Sequence, residues 1–103
     1  MKRIKILLIE DNRILRDGIR TLLNAQSDFL VVAGSGGGHD TLSLIRTKRP
    51  QVVLIDLGLR NESGLRIVAT LAREQPQIKV IGMGLIPLQR DIIEFVEAGA
   101  AGF

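Results

Sequence analysis

Short apolar runs alternate with longer amphipathic stretches along this chain, and this alternation constrains the fold more than any other feature of the sequence. Each apolar run has the length and composition of a buried strand, and apolar residues at helical spacing follow it. The strands are predicted over residues 4–9, 29–33, 52–55 and 78–83. Repetition of this β-α unit predicts an α/β fold, in which one parallel sheet carries helices on both of its faces.

The first helix is predicted over about residues 12–26, with Asn12 as its N-cap. Its charged residues Arg16, Asp17 and Arg20 are expected to face away from the sheet. Apolar residues at helical spacing are expected to face towards it: Ile14, Leu15, Gly18, Ile19, Leu22 and Leu23.

Other end signals delimit the later elements. Ser63 can cap the third helix, Pro87 suits the first turn of a last helix over residues 88–98, and Gly99 suits its C-terminal end. Residues 100–103 look like the start of a fifth strand, where the chain stops. A helix covering the far edge of the sheet is therefore expected to be missing.

Composition excludes several classes of protein. A length of 103 residues favours one domain, and 46% hydrophobic residues exclude intrinsic disorder. Without cysteine there is no disulfide scaffold, thiolate zinc site or cysteine nucleophile. No apolar run approaches the roughly 18 residues that a membrane span needs. These features predict a cytoplasmic protein with no membrane partner.

The net charge of +3 is mild, and the basic residues are scattered along the sequence without stacking aromatic residues between them. A nucleic-acid surface needs clustered basic residues. Solvated helix faces are the favoured interpretation, so any DNA contact is expected to come from elsewhere.

Carboxylates follow two of the predicted strands. Glu10 and Asp11 come directly after the first, and Asp56 follows the third. In an open α/β sheet, ligands bind beyond the carboxyl ends of the strands. If these two strands are neighbours, three like charges meet in one concavity and require neutralisation, which a hard cation such as Mg²⁺ supplies.

Asp56 is the best candidate nucleophile towards a phosphoryl group, because it follows a fully apolar strand that holds its backbone rigidly. Glu10 and Asp11 are better metal ligands, one of them through water. Any one of these carboxylates alone is more simply interpreted as a cap of the following turn or helix. All three at adjacent strand ends favour a shared function.

At these positions the chain resembles the receiver domain of bacterial two-component response regulators. The resemblance rests on LLIEDN at residues 7–12, on VVLIDL at residues 52–57 with Gly64 opening the next helix, and on EAGAAGF at residues 97–103. The segment ILRDGIRTLL, residues 14–23, is most similar to the NarL/FixJ branch. Members of that branch usually carry a C-terminal helix-turn-helix DNA-binding domain.

The resemblance implies a flavodoxin/CheY-like sheet ordered 2-1-3-4-5, of which residues 1–103 form one receiver domain incomplete at its C-terminus. It implies phosphoryl transfer from a histidine kinase to Asp56, with Mg²⁺ held by Glu10, Asp11, Asp56 and the backbone carbonyl of Gly58. It further implies a phosphoacceptor rather than an enzyme, a homodimer through the last helix and strand, and DNA contact only through a separate output domain that regulates transcription.

The sequence departs from the family pattern at the switch positions. Gly84 stands where the family has a Ser or Thr that donates to the phosphoryl group, and Arg60 stands where a Pro is usual. Phe103 matches the aromatic switch position but is the last residue, so the lysine of the fifth strand falls beyond it. Metal binding is expected to persist, and phosphorylation to be weakened or uncoupled from output.

Two other functions remain open. A degenerate receiver could act as a phosphorylation-independent interaction or dimerisation module, which Gly84 favours and the intact carboxylates oppose. A small-molecule enzyme on a flavodoxin-like sheet ranks last, because no histidine, cysteine or hydroxyl is placed beside the acidic residues. The glycine run at residues 34–38 does not match a dinucleotide motif and is interpreted as a flexible loop, with His39 exposed beside it.

Overall fold

Strands and helices alternate along the chain as the sequence pattern predicts. The computed structural model describes residues 2–59, 64–84 and 89–103. The strands are β1 (Ile4–Ile9), β2 (Phe29–Ser35), β3 (Val52–Asp56) and β4 (Lys79–Met83). The helices are α1 (Arg13–Asn24), α2 (Thr41–Lys48), α3 (Gly64–Glu74) and α4 (Gln89–Ala98). Four positions interpreted above lie outside the described residues: Arg60, Ser63, Pro87 and Leu88.

The strands form one parallel sheet in the order β2-β1-β3-β4, which confirms the expected topology. The last residues of the chain lie beside β4. Ala101 N–H donates to the Val80 carbonyl at 2.7 Å, and Gly82 N–H donates to the Gly102 carbonyl at 3.0 Å. Residues 101–103 therefore occupy the next position in the sheet, as a single parallel bridge.

β1 is buried on both faces from Ile6 to Ile9, as its apolar sequence predicts, whereas β3 is buried on one face and half-buried on the other. Leu7 and Ile9 of β1 point to one face, where they join the larger core cluster under α3 and α4. Ile6 and Leu8 alternate with them and point to the other face, where α1 packs. Gly99, with a φ of +120°, ends α4 in the left-handed region, as expected of a helix C-terminus.

The expected orientation of α1 is wrong in part. Ile14 and Leu22 are 86% and 71% exposed, and α1 has no buried residue among those that the structure describes. Only Ile19 and Leu23 reach the core cluster on their face of the sheet. The apolar residues of α1 cover a wider arc than one packing stripe can bury. Arg16, expected to face solvent, is half-buried on the side that faces the sheet.

The glycine run is also less loop-like than predicted. β2 continues through Gly34 and Ser35, which pair with Leu8 and Ile9 of β1. Gly37, with a φ of +87°, forms the turn that follows, and its N–H donates to Ser35 Oγ at 3.1 Å. The two additional residues of β2 bring its carboxyl end level with the end of β1. No helix in these described ranges is long and apolar enough to cross a membrane.

Candidate metal centre

The parallel pairing of β1 and β3 brings the predicted acidic residues together. Ile9 pairs with Ile55, so the residues that follow, Glu10 and Asp56, lie side by side at the carboxyl edge of the sheet. Glu10, Asp11 and Asp56 each offer a carboxylate oxygen, and these atoms lie within 4.8 Å of one another. Glu10 is buried, whereas Asp11 and Asp56 are half-buried. We call these three residues the acidic cluster.

Glu10 is anchored at three points. Its N–H donates to the Ser35 carbonyl at 2.9 Å, which ties it to β2. Its Oε2 accepts from Asn12 N–H at 3.0 Å. Its carbonyl oxygen accepts from Arg16 Nη1 at 2.7 Å. Backbone and side chain are therefore both fixed, although Glu10 lies in the connection after β1.

Burial raises the pKa of Glu10 above its ordinary value. The hydrogen bond from Asn12 N–H opposes this rise, whereas the neighbouring Asp11 and Asp56 carboxyls add to it. The cluster therefore holds its negative charges together at a free-energy cost. Either a proton or a bound cation can relieve this cost.

Asp56 is the last residue of β3 and pairs with Met83 of β4. Leu57 N–H donates to the Met83 carbonyl at 2.9 Å, so the backbone stays in register one residue beyond the strand. Asp56 Oδ1 then accepts from Gly58 N–H at 3.0 Å. This short turn holds the carboxylate at the edge of the sheet and brings Gly58, whose carbonyl is a predicted ligand, next to it.

The acidic cluster fits a small divalent cation. Mg²⁺ binds carboxylate oxygens at about 2.1 Å, so two of its ligands lie at most about 4.2 Å apart. The carboxylate oxygens need only a small side-chain adjustment to meet this limit, or one of them can bind through water. Three carboxylates on two rigid strand ends are the hard oxygen donors that such an ion prefers.

The predicted switch positions lie near this edge but outside the cluster. Gly84 directly follows β4 and is exposed, and a Cβ built there would lie 3.7 Å from Leu57 Cδ1. No side-chain hydroxyl is available at this position. Phe103 is 54% exposed beside the bridge at the end of the chain. His39 is exposed, as predicted, and does not belong to the acidic cluster.

Arg16 is the residue near the cluster that sequence reasoning missed. A charged residue in an amphipathic helix is normally assigned to solvent, which is correct for the other basic residues that the structure describes. A usable signal is its position, five residues after the acidic pair and within the first turns of the next helix. An arginine there is long enough to reach back to the end of β1.

Comparison with known proteins agrees with this geometry. Residues 6–103 match the family model described as "Response regulator receiver domain". A Bacillus subtilis relative, "Uncharacterized transcriptional regulatory protein YxjL", is 29% identical over 101 residues, covering 98% of this chain and 46% of the relative. "Response regulator GacA" of Pseudomonas aeruginosa is 34% identical over 100 residues, covering 97% of this chain and 47% of the relative. The chain thus spans about half the length of the curated relatives it matches.

Solved structures share the fold. The receiver domain of the putative response regulator NarL from Mycobacterium tuberculosis superposes with a TM-score of 0.91 at 21% identity, covering 100% of this chain and 83% of that one. A LuxR-family response regulator from Aurantimonas sp. gives a TM-score of 0.89 at 24% identity, covering 98% of this chain and 72% of the other. At these identities the likeness establishes the fold alone.

Proposed function

Because the chain belongs to the family of response regulator receiver domains, we propose that it accepts a phosphoryl group on Asp56 within a two-component signalling pathway. The observation that carries this proposal is the acidic cluster. Asp56 is far in the sequence from the adjacent residues Glu10 and Asp11, and all three meet at the carboxyl edge of the sheet. A rigid carboxylate beside two further carboxylates suits a nucleophile with a neighbouring cation site.

The ion that would bind here is Mg²⁺, which the acidic cluster and the backbone carbonyl of Gly58 would hold. When bound, it shields the negative charges of the nucleophile and the phosphoryl group from each other. The remaining work falls to the chain itself. Asn12 N–H fixes the Glu10 carboxylate, and Gly58 N–H orients Asp56 through its Oδ1.

The transfer forms a bond between a carboxylate oxygen of Asp56 and phosphorus, while the bond from phosphorus to the donor's leaving atom breaks. A phosphohistidine of a histidine kinase is the proposed donor, and its imidazole nitrogen takes the bonding electron pair. β3 holds Asp56 in place during this step, because Val53 and Ile55 of the same strand are fully buried. Positioning the reacting groups in this way accounts for much of the catalysis of phosphoryl transfer.

The output is proposed to be transcriptional. Two relatives carry the name "transcriptional regulatory protein", and one solved relative is a "DNA-binding response regulator" of Staphylococcus aureus. DNA contact would then belong to an output domain outside these residues. Dimerisation through α4 and the adjoining strand, and a cytoplasmic location beside the kinase, complete the proposal.

A phosphorylation-independent interaction module is the less supported alternative. Gly84 favours it, because a glycine offers no hydroxyl to the phosphoryl group. The complete acidic cluster opposes it, since an interaction module has no need for three mutually repelling carboxylates. Gly84 is therefore proposed to weaken the link between phosphate and output while leaving acceptance of the phosphoryl group possible.

The test is intact-protein mass spectrometry after incubation with acetyl phosphate and Mg²⁺. The wild-type chain is expected to gain one phosphoryl group, and Asp56→Asn and chelation of Mg²⁺ are each expected to abolish the gain. Asp40→Asn is the matched control, because Asp40 is an exposed carboxylate before α2 outside the acidic cluster. Absence of a phosphoryl adduct on the wild-type chain, or its persistence on Asp56→Asn, contradicts the proposal.

A further inference from the structure

Arg16 differs from the other basic residues of the chain. Of the lysines and arginines in the described residues, it alone is half-buried, and the rest are exposed. Its Nη1 donates to the carbonyl oxygen of Glu10 at 2.7 Å, a short distance for such a bond. The short bond and the partial burial together hold the guanidinium against the backbone of Glu10.

Gly34, near the end of β2, makes room for the side chain of Arg16, and Gly36 lies in contact distance of its guanidinium. A Cβ on Gly34 would lie 3.2 Å from Arg16 Cδ, and a Cβ on Gly36 would lie 3.7 Å from Nη1. Neither glycine has a positive φ, whereas Gly37 does. Backbone conformation therefore does not require glycine at 34 or 36. At position 34, the lack of a side chain leaves room for Arg16 Cδ across the end of β2.

The hydrogen bond from Arg16 is accepted by a peptide group within the acidic cluster. The Glu10 carbonyl belongs to the peptide that joins Glu10 to Asp11, two members of the acidic cluster. On the helix side, Arg16 N–H donates to the Asn12 carbonyl at 2.8 Å, and Leu15 N–H donates to Asn12 Oδ1 at 2.9 Å. The backbone N–H of Arg16 thus forms a hydrogen bond in the first turn of α1, and its side chain forms a hydrogen bond to the backbone of Glu10.

We propose that Arg16 is a positioning residue for the cation, which orients the peptide between Glu10 and Asp11 so that both carboxylates meet one ion. The inference rests on the proposed function, since it concerns the same Mg²⁺. Groups that orient metal ligands typically change metal affinity by 10–100-fold when removed. Arg16 acts through the backbone of a ligand, so the lower end, about tenfold, is expected.

The direction in which cation affinity changes when Arg16 is replaced distinguishes a positioning role from a simple charge effect. Arg16 is cationic, and removing a positive charge near a cation site strengthens cation binding by simple electrostatics. Loss of positioning weakens binding instead. A weaker affinity after neutral substitution therefore cannot come from the loss of the charge, and an effect on folding alone leaves the affinity of the folded protein unchanged.

The experiment titrates the chain with Mn²⁺ by electron paramagnetic resonance, and with Mg²⁺ by calorimetry. Arg16→Met is expected to bind about tenfold more weakly than wild type, and Arg16→Lys to recover part of the affinity. Arg20→Met is the control, because Arg20 is an exposed arginine on the same helix. Circular dichroism checks that each variant is folded.

A second route to the same contact uses Gly34→Ala, which keeps the arginine but crowds its Cδ. Gly34→Ala is expected to weaken cation binding less than Arg16→Met does. When the two substitutions are combined, the loss of affinity should equal that of Arg16→Met alone, because both disturb the same contact. If Arg16→Met does not fold, Arg16→Lys and Gly34→Ala carry the test. Unchanged or tighter binding by the folded Arg16 variants, or additive losses, overturns the positioning role. Absence of binding by wild type and Arg20→Met alike overturns the proposed function itself.

Discussion

Removing one charge from the acidic cluster should stabilise the protein when no divalent cation is present. Asp56→Asn is the suitable change, because asparagine has nearly the same shape and keeps the Oδ1 that accepts from Gly58 N–H. It removes one negative charge and supplies an amide that can donate to a neighbouring carboxylate. We therefore expect Asp56→Asn to be more stable than wild type in a chelating buffer.

The magnitude follows from the spacing of the cluster. At the 4.8 Å upper limit of separation, two unit charges repel by about 1 kcal/mol in bulk water and by about 3 kcal/mol at the effective dielectric of a protein surface. Asp11 and Asp56 are half-buried, and Glu10 can relieve part of the repulsion by protonation. A gain of about 1–2 kcal/mol is therefore expected, which corresponds to roughly 4–8 °C in Tm for each kcal/mol in a domain of this size.

Thermal and urea unfolding, each with chelator and with saturating Mg²⁺, measure this effect. The order should reverse in Mg²⁺, because binding at 100 times Kd stabilises wild type by about 2.7 kcal/mol, whereas Asp56→Asn has lost a ligand. Asp17→Asn is the control, since its carboxylate is 66% exposed and its ion pair with Arg13 spans 3.9 Å; such pairs contribute less than about 1 kcal/mol. A chelated Asp56→Asn no more stable than wild type refutes the repulsion argument.

Four further substitutions test other parts of the structure. Burial raises the pKa of Glu10, so the folded chain binds a proton at a higher pH than the unfolded chain does. In chelator, the free energy of unfolding should therefore rise as the pH falls from neutral, until Glu10 is protonated in both states. Glu10→Gln should flatten this pH dependence, as measured by urea titrations at several pH values. Gly99→Ala should cost about 2–4 kcal/mol in urea unfolding, because Gly99 has a φ of +120° and its Cβ would lie 2.6 Å from Ala72 Cβ. Gly18→Ala should instead stabilise α1 by about 1 kcal/mol, since nothing lies within 4 Å of its Cβ, and a loss there would contradict the exposure described for α1. Gly84→Ser should raise the phosphorylated fraction in intact-mass measurements by about tenfold, because the added hydroxyl can donate a hydrogen bond to the charged phosphoryl group. Gly84→Ala is the control. Equal phosphorylated fractions in the two variants would contradict a role for position 84 in binding the phosphoryl group.

The sheet could be predicted because its determinants are local. The run from Ile6 to Ile9 is apolar throughout and buried, which is typical of a strand covered on both faces. Parallel strands end at the same edge of a sheet. If β1 and β3 are neighbours, Glu10 and Asp56 must therefore lie close together at that edge. The meeting of the acidic cluster thus follows from topology rather than from any side-chain detail.

Helical periodicity alone does not predict the position of the Arg16 side chain, because part of its environment comes from another strand. Helical periodicity assigns a charged residue to solvent, and nothing within α1 shows that Gly34 of β2 leaves room for the Arg16 side chain. The same limit affected Ile14, whose exposure depends on how much of α1 the sheet covers. Propensity predicts a loop at Gly34, but its pairing with Leu8 places it in β2. Tertiary contacts override local preference at each of these positions.

Crystals grown with Mn²⁺ in place of Mg²⁺ test most directly whether one cation is shared by two strand ends. Anomalous diffraction should show one strong peak at the carboxyl edge of the sheet, within coordination distance of Asp56 and of at least one of Glu10 and Asp11. A peak bound by a single carboxylate, or binding at a different surface while the cluster stays empty at saturating Mn²⁺, would contradict the account.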